Sequence, residues 1–85
     1  MDFKEVRKAK SKLYEKYKKL FKEEELTFDV FITKRDEKYA LYVLVEECTD
    51  EAKSFTNETI PKSFEYKDNT YRVIREFGVY TMIKQ

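Results

Sequence analysis

The chain has 85 residues, with 18 Lys and Arg against 17 Asp and Glu and a formal net charge of +1. It contains no His, one Cys and one Gly, so it lacks the commonest general base and metal ligand. A zinc set, a Cys/His nucleophile pair and a glycine-rich nucleotide loop are excluded together. One domain over residues 1–85 is the sensible count, and a core this small is thin. No cofactor or small molecule is implied. No apolar run is long enough to cross a bilayer, so a membrane is not expected as a partner. The charged N-terminus lacks the apolar stretch of a secretory signal, and Cys48 alone cannot form an internal disulfide; the expected compartment is the cytoplasm. Amides are limited to Asn57, Asn69 and Gln85, and this Lys/Glu-rich, amide-poor balance fits a thermophilic or a viral chain.

The first predicted element is a helix over residues 3–24. Asp2 and Glu5 make a capping box, with Met1 and Val6 as its hydrophobic staple. Phe3, Val6, Leu13, Tyr17, Leu20 and Phe21 fall on one apolar stripe, with Tyr14 at its edge. Lys4, Lys8, Lys12, Lys19 and Lys22 line the opposite face, where Glu15 is placed to pair with Lys19. Lys10 lies on the apolar stripe, where its stem can be buried while the ammonium reaches water. Glu23, Glu24 and Glu25 oppose the helix dipole, so the helix should end among them.

From Leu26 to Thr33 apolar and polar residues alternate, the mark of a half-buried strand. A polar turn over 34–38 leads to a second strand over 39–46. That strand is apolar on both faces and therefore central. Thr49 or Asp50 is placed to cap a short helix through about Phe55, and Pro61 stops anything regular there. Phe64–Tyr66 and Tyr71–Phe77 read as a second hairpin, with Asn69 at the positive-φ position of its turn. Gly78 marks a bulge, or a bend into a last strand over 79–83. The expected fold is α+β: a long N-terminal amphipathic helix on a four- or five-stranded antiparallel sheet of hairpins, in the order α-β-β-(short α or loop)-β-β.

Charge is segregated along this order. Residues 1–22 hold nine basic and three acidic residues, residues 23–60 four and eleven, and residues 61–85 five and three. Three functional readings follow. The leading one is a non-enzymatic protein-interaction module, with another protein or a second copy as partner. Phe31, Tyr42 and Leu44 point away from the helix if Phe28, Val30, Leu41 and Val43 point toward it, and one helix cannot cover both faces. Residues 48–62, with Phe55 and Ile60, are the competing cover for that face. The alternative is nucleic-acid binding, with Lys4, Lys8, Lys12, Lys19 and Lys22 tracking phosphates. The opposing reading of these lysines is an ordinary solvated helix face. The third is a hydrolase with a hard cation held by Asp29, Glu46 and Glu47, supported only by a Glu51-Ala52-Lys53 triplet that any charge-rich chain can contain. Cys48 reads as a small inert hydrophobe among acidic neighbours.

Overall fold

The computed structural model describes residues 3–78. Its elements are α1 (Phe3–Glu23), β1 (Phe28–Arg35), β2 (Lys38–Val45), α2 (Asp50–Thr59), β3 (Ser63–Tyr66) and β4 (Asn69–Phe77). The capping box at Asp2, the staple from Met1 and the strand expected over 79–83 lie outside the described residues. No helix is long and apolar enough to cross a membrane among the described residues.

α1 buries Val6, Ala9, Leu13, Tyr17 and Phe21. Phe3 and Leu20, expected on the stripe, are exposed instead. Phe3 makes a T-shaped contact with the Tyr39 ring, at 5.6 Å between centroids. The helix closes with a Schellman motif: Leu26 N–H donates to Phe21 O (2.9 Å) and Glu25 N–H to Lys22 O (3.0 Å). Glu25 fills the left-handed position at φ 58°, where glycine is normally preferred. The β1–β2 connection is shorter than the expected five-residue turn. Asp36 and Glu37 span it, both at positive φ (51° and 66°), which suits the twist of a two-residue hairpin. In the second hairpin Lys67, not Asn69, takes the positive φ of 56°.

The sheet is mixed, not purely antiparallel. Its order is β1-β2-β4-β3. β1 with β2 and β3 with β4 are the antiparallel hairpins, whereas β2 and β4 pair in parallel from Ala40↔Arg72 to Val45↔Phe77. Hairpin signals fix pairing within each hairpin but not between them. Burial decides the rest: β4 carries fully buried Tyr71 and nearly buried Val73, so it takes the centre. The four-residue β3, with no fully buried side chain, is left at the edge.

A parallel pair needs a crossover, and here it contains α2. Thr49 caps that helix, its Oγ1 accepting from Ala52 N–H at 3.1 Å. Phe55 reaches Phe21 of α1 (5.1 Å, 73° between ring planes), and Phe21 in turn lies 4.3 Å from Phe28 of β1. Ile60 is fully buried in the same core. The crossover is anchored by Arg75 of β4, whose Nη1 donates to Ile60 O (3.2 Å) and Asn57 O (3.5 Å). These carbonyls end α2, where a cation also meets the negative end of the dipole. Both helices therefore share one face of the sheet, the inner face. Of the two readings left open for the other face, cover by residues 48–62 is not the one observed: Phe55 and Ile60 are held on the inner side by Phe21 and Arg75.

Gly78 follows β4 at φ +61° and donates to Val45 O (2.8 Å). A Cβ there would lie 3.0 Å from Cys48 Cβ, so both its conformation and its surroundings favour glycine.

Two stability changes follow. Glu25→Gly relieves the left-handed strain and removes a carboxylate from a helix C-terminus; it is expected to stabilise by about 1 kcal/mol, a rise of roughly 4–8 °C in Tm by calorimetry. Arg75→Met strips the α2 carbonyls of their charged donor and is expected to cost about 1–2 kcal/mol in urea unfolding.

Candidate functional site

The strand register sorts the sheet's side chains. Val30, Val43 and Arg75 point inward, so Phe31, Tyr42 and Ile74 share one cross-strand row on the outer face. Phe31 is 36% exposed, the most open of the three. Leu44, one row away, is fully buried, and Ala40 on the other side is 2% exposed. The sequence-derived set of Phe31, Tyr42 and Leu44 thus lies on one face, but Leu44 offers no surface to a partner. Ile74 replaces it in the open row.

Charge divides that face. Asp29, Glu46 and Glu76 lie toward one end of the strands; Arg35, Lys38 and Arg72 lie toward the other. All six are exposed. Acids also border the basic end: Asp36 and Glu37 in the β1–β2 turn between Arg35 and Lys38, Asp68 in the β3–β4 turn, and Glu65 on edge strand β3. Tyr42 feels both ends. Its phenol is held above the usual 10.0, first by burial, then by the Glu76 carboxylate, while Arg35 opposes.

The proposed cation ligands do not converge. Asp29 Oδ1 accepts from Val30 N–H (3.2 Å), and Glu47 Oε1 accepts from Thr27 N–H (2.9 Å). Among the described residues no group of three carboxylate, His or Cys side chains is placed to hold a metal. Cys48 is exposed rather than a packed hydrophobe. Lys10 is half-buried at the rim of α1.

The five sequence-derived lysines divide into two groups. Lys4, Lys8 and Lys12 line an open groove with Tyr66. A continuation of it is bordered by Lys12, Lys16, Phe64 and Tyr66. Lys19 and Lys22 border a separate depression with Tyr14 and Phe28. The expected Glu15–Lys19 pair is replaced by Glu15–Lys18 at 3.1 Å. Sequence reading missed Lys16, Phe64 and Tyr66 because they converge only when β3 is placed at the sheet edge beside α1.

Beneath the groove lies Tyr71, fully buried. Its hydroxyl has no hydrogen-bond partner of standard geometry, and neither has the buried Glu5 Oε2, which lies 3.8 Å from Lys67 Nζ. Burial first, and then the Glu5 and Tyr66 charges, raise the Tyr71 pKa above 10.0, with Asn69 opposing.

No family model matches the chain, and no curated protein and no solved structure matches it.

The Tyr71 phenol gives a pH signature. Its pKa is higher folded than unfolded, so folding favours the protonated ring. The associated stability is fully present below about pH 10 and is lost as pH rises through the elevated value. Tyr71→Phe is expected to flatten the alkaline decline in a pH series of urea midpoints.

Proposed function

We propose that the chain is a small non-enzymatic protein-interaction module that pairs with a second copy of itself through the outer sheet face. The observation that carries this reading is the order of that face: an apolar row of Phe31, Tyr42 and Ile74 between an acidic end and a basic end.

Such a pattern is complementary to itself. A two-fold axis along the apolar row turns each sheet over and reverses its strand direction. Tyr42 then meets Tyr42 of the second copy, and the acidic end of each copy lies over the basic end of the other. Glu76 faces Arg72 in both directions, the reciprocity an isologous contact requires. Among the described residues none of the six charged side chains is engaged in an ion pair within the chain. The four strands, each about 4.8 Å from the next, offer the outer face as one contact surface. Tyr42 sits near the centre of that surface, where an aromatic anchor contributes most. The charges at the ends contribute orientation more than affinity. An exposed free Cys48 and a charge-rich surface suit the cytoplasm.

Light scattering at rising concentration tests the pairing. Wild type is expected to be a dimer, and Tyr42→Glu a folded monomer. Arg72→Glu and Glu76→Arg alone should each weaken the dimer by about tenfold or more, and together restore it. A wild-type monomer at high concentration overturns the reading. So does a full chain that dimerises only when cut after Gly78, which would assign the face to the chain's own last residues.

A further inference from the structure

The groove between α1 and the edge strand β3 combines a row of lysines on one bank with two aromatic rings on the other. Its helix bank carries Lys4, Lys8, Lys12 and Lys16, each four residues and therefore about 6 Å along the axis from the next. Its strand bank carries Phe64 and Tyr66, both half-buried, so part of each ring meets solvent. Cations stand near both rings: Lys16 Nζ lies 6.0 Å from the Phe64 centroid, and 5.5 Å from that of Tyr17, while Lys67 Nζ lies 5.7 Å from that of Tyr66. Glu15 and Glu65 also border the groove, but Glu15 is engaged by Lys18.

We infer that this groove binds single-stranded nucleic acid, with the lysines on the phosphates and the Phe64 and Tyr66 rings against unstacked bases. A row of cations alone attracts any polyanion. The adjacent rings add a preference for bases whose faces are free, which a duplex does not offer. The groove lies on the helix side of the sheet, so pairing through the outer face leaves it open. The inference stands whether the chain is a monomer or a dimer.

The test is fluorescence anisotropy with labelled oligo(dT) and oligo(U) of about 12 nucleotides, the matching duplex, and heparin as competitor. Wild type is expected to prefer the single strands, with affinity falling steeply between about 50 and 200 mM salt. Lys8→Glu with Lys12→Glu should weaken binding by about tenfold or more. Lys19→Glu with Lys22→Glu, the same charge change on the same helix outside the groove, should cost far less. Tyr66→Leu keeps the apolar bulk but removes the ring, and should cost about 5- to 100-fold with little change in salt slope. Absence of binding at low salt overturns the inference. Equal losses from the two lysine pairs would also overturn it, by reducing the effect to general attraction. Unchanged binding by folded Tyr66→Leu, with heparin competing fully, would show a site for polyanions without bases. A tighter duplex complex would assign the helix to duplex phosphates instead.

Discussion

The parallel pairing of β2 with β4 governs this fold. Two parallel neighbours cannot be joined by a turn, so the chain must leave the sheet, cross it and return. α2 makes that crossing on the side already occupied by α1. Phe21 is the hub: it touches Phe28 in the sheet and Phe55 in the crossover. Arg75 closes the arrangement from β4 by donating to the last carbonyls of α2. With both helices committed to one face, the other is left with a row of three partly exposed apolar side chains and two ends of opposite charge.

This division gives the small chain two surfaces of different chemistry. The outer face combines an apolar row with a polarity that reverses along the strands, a pattern that the proposed two-fold partner would match on both counts. The groove beside β3 is basic with two rings along one wall. A single helix contributes to both the core and the groove, because the stripe holding Val6, Leu13, Tyr17 and Phe21 leaves the opposite face free to carry lysines. Exposed lysines cost little stability and keep the helix soluble. The rings beside them, not the lysines alone, distinguish this groove from an ordinary solvated face.

The elements were largely legible in the sequence, because each rests on a local signal. The stripe from Val6 to Phe21 gave α1, and the alternation through Phe28, Val30 and Ile32 gave β1. Thr49 marked the start of α2, but the helix runs to Thr59, past the end expected near Phe55. Lost to sequence reading were features that depend on distant partners. The parallel register of β2 with β4 has no local signature, since Leu41↔Val73 and Val43↔Arg75 are as compatible with one strand direction as with the other. The side on which Phe55 lands is decided by Phe21, some thirty residues earlier. The outer row was half legible: alternation placed Phe31 and Tyr42 together, but Ile74 joins them only through that parallel register. Leu44 shares their parity and is nevertheless buried. Positive φ at Glu25, Asp36, Glu37 and Lys67 was unreadable for a different reason, because none of these residues is the glycine that usually marks such a position.

The most direct measurement of the account is an isotope-filtered NOE spectrum of a sample mixed from labelled and unlabelled chains, which reports only contacts between copies. The self-complementary face predicts cross-peaks from the Tyr42 ring to Tyr42 and Ile74 of the other copy, and from Glu76 side-chain protons to Arg72. Contacts between copies that instead involve α1 or the edge of β3, with none from Tyr42, would contradict it.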